Sequence, residues 1–471
     1  MRSISISKFK STSVATAVCI CAASVPSLFN ERRVVASPAF IFRRPIKAEG
    51  DIEFTVRAHP VEDGLWIAQP TWVCRSGSLP LDGLPLHDGS RRFRSRSESV
   101  ADAMSRGLRM ARKQKHRNFG TTAWNRAVES LAVWMAEAME AVRSEDETLP
   151  LRGLVGVDLM AGGQGALSEA MVSQGMRIEL ACEIDPQARA AYLQNIRPRL
   201  IHDDICTLDA RRLEADIVTM GLMCQAFSVA GNGLGFDDPA LALAYMHAMR
   251  VLCEIHAKVL IIECARQFMT LDGGKHSDEL IEQLMLAGYR VQHRALNASG
   301  FGVPQSRDRS FLVCTRIGLD VDGIVGVLFP EEKEPTSCVE DILDDDLPAT
   351  ITDADIVPHG EAPESRVGRL ALVGRIGGRN SQGYRVYSTK GLGPTLTASG
   401  GGRAPFSGAY RVPGGARALT PREAYRMQGM PEWSRHHPNE RQAMRHAGNA
   451  VAVPVARELI RSLGAILGAR S

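Results

Sequence analysis

The chain has 471 residues, a formal net charge of +3 and 44% hydrophobic residues. That length accommodates about two to four domains with sizeable apolar cores. So small a charge excludes a uniformly basic coat, so any nucleic-acid contact must come from local patches. No run of about 18 apolar residues is present, which excludes a helical membrane span.

Residues 1–48 are rich in Ser, Arg and Lys, and the first acid is Glu31. A short apolar stretch, 14–25, gives them the look of a disordered leader or targeting-like segment, or of an untranslated leader read as coding. Residues 49–150 form a separate accessory unit, with strand-like patches at Ile52–Val56 and Leu65–Ala68 and helical spacing over Ala123–Val142. Between these parts, Arg91–Arg117 carries ten Lys/Arg and two acids. One reading is a helix that tracks DNA phosphates through Arg109, Arg112, Lys113 and Lys115; the other is a solvated helical face.

Strand and helix signals alternate over 151–316, with strands expected at 154–160, 177–183, 216–221, 258–263, 290–296 and 310–315. This alternation predicts a doubly wound, mostly parallel α/β sheet covered by helices on both faces. Chemistry-bearing residues fall at the strand ends, where such sheets place their sites. Asp158 closes the first strand and leads into Met160-Ala-Gly-Gly-Gln-Gly165, a loop whose glycines admit close backbone approach. Glu183 ends the second strand, in position to grip a ribose, and Asp204 follows the third. Cys224 follows the run Asp216–Met220 and precedes a loop with three glycines, Gly231–Gly235. A lone cysteine there reads first as a small buried hydrophobe; a thiolate with lowered pKa would be a strong nucleophile. Glu263 ends the next strand, and Gln305, Arg307 and Arg309 precede the last. The nine other cysteines show no Cys-x-x-Cys spacing and read as reduced thiols, with no metal site.

From 317 to 416 the alternation stops and Gly, Pro and polar residues dominate. Its glycine-rich loops leave room for close approach of a partner, and Arg375, Arg379, Arg385 and Arg403 are candidate groove or phosphate contacts if that partner is a nucleic acid, which the resemblance given next implies. The acidic run Asp341–Asp346 is expected to point to solvent. Residues 417–471 are expected to return to the α/β unit, with a helix after Pro454 packing beside the first strand.

From about Leu154 to the C-terminus, the order and spacing of these motifs resemble the DNA (cytosine-5) methyltransferase family. Asp158–Gly165 is similar to its first motif, Met223-Cys224-Gln225 to Pro-Cys-Gln, and Glu263-Cys264-Ala265 to Glu-Asn-Val. The Gln-x-Arg-x-Arg motif stands intact at Gln305–Arg309. Arg417–Pro431 and Gly448-Asn-Ala-Val451 are close to the last two motifs.

The resemblance implies an S-adenosylmethionine-dependent methyltransferase: a Rossmann-like domain at 151–316, a target-recognition region at 317–416, and an N-terminal extension. It implies a catalytic set of Cys224, Glu263, Arg307 and Arg309. It implies a cofactor set of Asp158, Met160, Gly162, Gly165, Glu183, Asp204 and Asn449. The expected substrate is a cytosine flipped from double-stranded DNA; a monomer with no membrane association is expected. The compartment would be the cytoplasm or nucleoid in a bacterium or phage, and the nucleus or an organelle in a eukaryote. Met223 and Cys264 depart from the pattern, and both departures bear on the loop that carries Cys224. A non-catalytic DNA-binding homologue and an RNA cytosine methyltransferase are the alternatives.

Overall fold

The structure is a computed structural model that describes residues 40–48, 50–60, 66–74, 96–113, 121–146, 149–222, 239–319, 327–344 and 347–467. Its contacts divide the chain into two compact units, 1–149 with Pro431–Ser434, and 150–430 with 435–471. No helix among the described residues is long and apolar enough to cross a membrane.

In the first unit, β1 (Phe40–Ala48), β2 (Gly50–Pro60) and β3 (Trp66–Cys74) form an antiparallel meander. Alternate residues of β2, Phe54, Val56 and Ala58, are buried on one face, as strand periodicity requires. Against them α1 (Arg96–Lys113) buries Val100, Met104, Leu108 and Ala111, and α2 (Thr121–Glu145) buries Leu131, Met135, Met139 and Val142. Both helices thus carry the three- and four-residue spacing of an apolar stripe.

The basic helix is therefore amphipathic, and some of its cations are engaged inside the unit. Arg106 donates to Asp102 (2.7 Å) and to the Ala68 carbonyl (2.8 Å). Arg112 donates to the side chain and carbonyl of Glu432 (2.9 and 2.6 Å) and lies 3.3 Å from Glu129. Glu432 is only 6% exposed. These contacts make Arg112 a structural cation and correct its reading as a phosphate contact. The side chain of Lys113, and Lys115 altogether, lie outside the described residues.

In the second unit, a seven-stranded sheet is built from β4 (Val155–Leu159), β5 (Arg177–Cys182), β6 (Leu200–His202), β7 (Ile217–Gly221), β8 (Val259–Ala265), β9 (Tyr289–Asn297) and β11 (Asp308–Arg316). The order is β6-β5-β4-β7-β8-β11-β9. Strands β6 to β8 pair in parallel, and β11 is antiparallel to both its neighbours. Burial on both faces explains the continuous apolar runs of these strands. Val157, Leu159, Val218, Met220, Leu260, Ile262 and Cys264 face a layer that includes α5 (Pro239–Ile255) and α6 (Lys275–Leu286). Ile178, Ile217, Val259, Ile261 and Phe311 face the other, with α3 (Ala166–Val172), α4 (Pro186–Tyr192) and α9 (Val453–Ser462). Helix α9 reaches the α3 end through Arg457 to Ser173 and Arg461 to Gln174.

The 317–416 region contains order that its composition hides. Strands β12 (Ile351–Thr352), β13 (Ile356–Pro358), β14 (Leu372–Ile376), β15 (Arg385–Tyr387), β17 (Ala409–Val412) and β18 (Gly415–Arg417) form a second sheet. Two-residue strands β10 (Gln305–Ser306) and β16 (Gly393–Pro394) pair separately. The acidic run is not simply solvated. Asp341 accepts from Arg366 (2.7 Å), and Asp344 pairs with the buried guanidinium of Arg426 (2.7 Å).

Removing one partner of a buried ion pair leaves the other charge uncompensated, at a cost of about 3–5 kcal/mol. Arg112→Met is therefore expected to lower the stability of the first unit by an amount of that order, whereas exposed Arg126→Met should change it by less than about 0.5 kcal/mol. Thermal and urea unfolding of the full chain measure both, and equal effects would refute a structural role for Arg112.

Candidate functional site

In a doubly wound sheet the ligand crevice opens at the carboxyl ends of the strands, where the strand order reverses. Here that point lies between β4 and β7, which are neighbours although β5 and β6 follow β4 in the chain. The predicted residues gather along this edge. Met160–Gly165 follow β4, Glu183 follows β5, Asp204 follows β6, and Glu263 lies near the end of β8. Because β11 runs the opposite way, its first residues reach the same edge, with Arg309 paired to Ala265.

The loop after β4 is bent by left-handed backbone at Met160 (φ 54°), Gly162 (φ 67°) and Gly165 (φ 65°). That conformation is uncommon for methionine and natural for glycine. Glu183 fastens the loop: one carboxylate oxygen accepts the Gly162 N–H (2.8 Å) and the other the Asp185 N–H (2.9 Å). A carboxylate oxygen has two lone pairs, so each keeps capacity for a further donor. Ile184, next in the chain, is 67% exposed. It offers apolar surface beside Glu183, and sequence reasoning passed over it although it stands between two acids.

Asp158 does not reach the crevice. It is fully buried, accepting from Ser168 (2.6 Å) and Thr219 (2.8 Å). Burial pushes its carboxyl up to about 7 against the lowering effect of those hydroxyls. Its expected place among the cofactor contacts is thus corrected to support beneath the loop. Asp204 is half-exposed and accepts the Cys206 N–H (2.9 Å), the main reason its pKa is lowered. Asn449, the last residue of α8 (Glu440–Asn449), is exposed.

The two arginines divide. Arg309 brings its Nε 3.0 Å from Glu263, an ion pair off the line of a hydrogen bond. Glu263 is 5% exposed; burial raises its pKa, and Arg309 and then Arg307 act in the opposite sense. Arg307 is buried and donates to the carbonyls of Leu396 (2.9 Å), Gly448 (2.9 Å) and Ala450 (2.6 Å). Those bonds make it a positioning residue and correct its reading as a contact to the base. Gln305 acts alongside, accepting from the Leu396 N–H and donating to the Met427 carbonyl and to Gln428. Gly221, paired with Glu263, ends β7, and the Leu222 N–H donates to the Glu263 carbonyl (2.8 Å). Met223, Cys224 and the expected lid at Gly231–Gly235 lie outside the described residues.

Glycines of the 395–402 loop serve close packing of chain on chain. A Cβ at Gly400 would meet the Pro405 carbonyl at 2.1 Å and one at Gly402 the Gly383 carbonyl at 2.7 Å, whereas Gly401 has open space there. That use competes with the expected approach to a duplex. Of the expected arginines, Arg379 donates to the Tyr384 hydroxyl (2.8 Å) and lies over its ring, and Arg385 donates to the Asn380 carbonyl (2.8 Å). Arg375 is half-exposed near His359, and Arg403 is exposed.

The family model for C-5 cytosine-specific DNA methylase matches residues 154–465. The chain is 31% identical over 321 residues to the Type II methyltransferase M.HhaI of Haemophilus parahaemolyticus, covering 67% of this chain and 96% of that one. It is 29% identical over 318 residues to M.NlaX of Neisseria lactamica, covering 67% and 97%. The solved structure of the Entamoeba histolytica methyltransferase EhMeth shares the fold, with a TM-score of 0.51 at 14% identity, over 66% of this chain and 97% of that one.

The elevated Asp158 carboxyl couples stability to pH. Its folded pKa lies above the unfolded value, so its stabilising effect is full below about pH 4 and is lost as pH rises through 7. An elevation from 3.8 to about 7 is worth roughly 4 kcal/mol. Relative to wild type, Asp158→Asn should gain thermal stability progressively between about pH 4 and pH 7 and little above that. Parallel melting-temperature profiles for the two proteins would overturn this coupling.

Proposed function

Because the chain belongs to the C-5 cytosine-specific DNA methylase family, whose members transfer a methyl group from S-adenosylmethionine to carbon 5 of cytosine in DNA, we propose that Cys224 is its nucleophile and that Glu263 and Arg309 hold the target base. The observation that carries this reading is the buried Glu263–Arg309 pair at the strand edge from which the chain departs toward Cys224, two residues beyond Leu222.

Addition of the Cys224 thiolate to carbon 6 forms the S–C bond and moves the ring's π pair onto carbon 5. Negative charge spreads to nitrogen 3 and the exocyclic oxygen as this happens. A protonated Glu263 would donate to nitrogen 3, and burial favours that form. Arg309 would supply positive potential at the oxygen without losing its place beside Glu263. Loss of the carbon-5 proton to a base, which water can provide, and β-elimination then release the thiolate. S-adenosylmethionine, when bound, supplies the electrophilic methyl group. The loop residues fit it: Gly162 has open space where a Cβ would stand, Gly165 lets the loop pack closely on Tyr192 and Ile196, Glu183 keeps lone pairs for ribose hydroxyls, and Asp204 would take the adenine amino group. Met160 and the exposed Ile184 offer apolar surface to the purine. Asn449, exposed at the end of α8, would approach from the C-terminal segment.

The substrate in this reading is duplex DNA, acted on by a single copy of the chain inside the compartment that holds the DNA. Carbon 6 is shielded within a stacked helix, so the base must be flipped out, at a cost of a few kcal/mol.

Cys224→Ser is expected to abolish both tritiated methyl transfer to DNA and covalent trapping on 5-fluorocytosine duplexes, with the thermal melt unchanged. Full transfer by that variant would refute the mechanism. Glu263→Gln should lower turnover about a hundredfold while leaving the calorimetric affinity for cofactor intact. Glu183→Ala should weaken cofactor affinity, because it removes the ribose acceptor and the tie to Gly162 together. Identical behaviour of these two variants would show that the roles are misassigned.

A further inference from the structure

Four residues of the C-terminal segment complete the core of the first unit. Pro431–Ser434 belong to that unit, although Met430 before them and Arg435 after them belong to the second. Trp433 is 6% exposed and shares one apolar core with Phe54 of β2, Leu108 of α1 and Met135 of α2. Glu432 is held by Arg112 of α1 through both its carboxylate and its carbonyl. Burying an indole removes a large apolar surface from water and fixes the backbone that carries it.

The chain on either side is fastened unequally. Before these residues, Gly429 lies so near Pro454 that a Cβ would come within 2.4 Å of its Cδ, and Met430 is buried. After them, no residue from Arg435 to Glu440 is buried. Arg435 exchanges two exposed hydrogen bonds with the side chain of Asn195 (2.7 and 2.8 Å). His436 and His437 meet the rings of Tyr425 and His446 edge-on. Exposed hydrogen bonds compete with water and contribute little net stability. Glu432–Ser434 are thus the last deeply buried residues before α8.

What α8 touches makes that anchorage matter. Arg445 pairs with Asp185 (3.0 Å), whose N–H donates to Glu183. The His446 ring lies against the β4 loop, where a Cβ at Gly163 would come within 2.5 Å of its Nδ1. Gly448 offers its carbonyl to Arg307 (2.9 Å).

We infer that the first unit is a positioning element for the methyl-transfer site: by holding Glu432 and Trp433 it fixes the entry of the chain into α8. Its consequence for the cofactor rests on the reading of Glu183 and the β4 loop as the S-adenosylmethionine site; its consequence for α8 does not. This role also accounts for Arg112, a cation spent inside the unit on Glu432.

Hydrogen exchange of the full chain and calorimetric titration with S-adenosylhomocysteine test it together. In Trp433→Ala, amide exchange across residues 435–450 should quicken about tenfold. The affinity should fall about three- to tenfold, because the competent arrangement is less populated. Trp433→Phe, which keeps an aromatic body, should recover most of both effects. Met135→Ala opens the same core from α2; it should lower the melt while leaving residues 435–450 and the affinity as in wild type. Unchanged exchange in Trp433→Ala, or equal effects in Met135→Ala, would overturn the role. If Trp433→Ala does not fold, Glu432→Gln should quicken the same segment to a smaller degree, and no change there would overturn it equally. If the wild-type chain does not bind the nucleoside, the cofactor reading falls, and exchange alone still decides whether the first unit steadies α8.

Discussion

Arg307 carries a permanent charge into a place where it is 2% exposed, and carbonyls from two distant stretches of chain gather around it. Leu396 lies next to β16, and Gly448 and Ala450 lie at the end of α8. Without those carbonyls the charge would be costly to bury; with them it ties the approach to β11 to both segments at once. Gly448 makes this possible by letting the helix end press on Thr397, where any Cβ would lie 2.2 Å from backbone. Gln428 extends the knot, donating to the Ala447 carbonyl (2.6 Å) and accepting from Gln305. Arg309 is two residues from Arg307, and His446 two from Gly448. The knot therefore sets where the Glu263–Arg309 ion pair and the His446 imidazole against the β4 loop stand.

A second constraint is the alternation of the parallel strands. Asp158 and Thr219 share a bond on the face that also buries Ile217, Val259 and Ile261, and Glu263 continues the odd-numbered series along β8. Cys264 belongs to the opposite layer with Ile262 and Phe268. A cysteine suits such a position as a small apolar side chain, whereas an asparagine there would need hydrogen-bond partners to offset its burial. Leu222, the residue before Met223, belongs to that same layer. Cys264 and Leu222, the residue before Met223 in the chain, thus share the layer away from Glu263.

What was legible in the sequence was whatever continuous burial or strong local chemistry imposes. The apolar runs of β4, β7 and β8 announced a parallel sheet because both faces are covered, and the acids and glycines at their ends announced a site edge. The roles of individual polar residues were not legible, because they depend on distant partners. Arg307 and Arg309 are two residues apart in one motif, yet one meets carbonyls nearly 90 and 140 residues away and the other meets Glu263. Asp158 resembled a ligand contact until Ser168 and Thr219 enclosed it. The second sheet escaped notice because strands of two to five residues are too short to show a period.

The same logic explains why the last motifs are as much about folding as about chemistry. Thr420 caps α7 (Pro421–Met427), Pro421 opens it, and Glu423 closes the capping box. Arg417 then grips Glu423 through two bonds of 2.7 and 2.8 Å, both side chains nearly inaccessible to water. Glu423 also accepts the Asp344 N–H, and Asp344 in turn binds Arg426. Each charge in this chain of contacts is compensated by the next, so removing any one leaves a buried neighbour unpaired. The members of this signature thus require one another for folding, whether or not any of them touches the substrate. Chemistry enters only where such a network stops short. Glu263 and Arg309 meet without an aligned hydrogen bond, and Gln164 and His446 have no hydrogen-bond partner at all. Those incomplete contacts are where these side chains keep hydrogen-bonding capacity to spare.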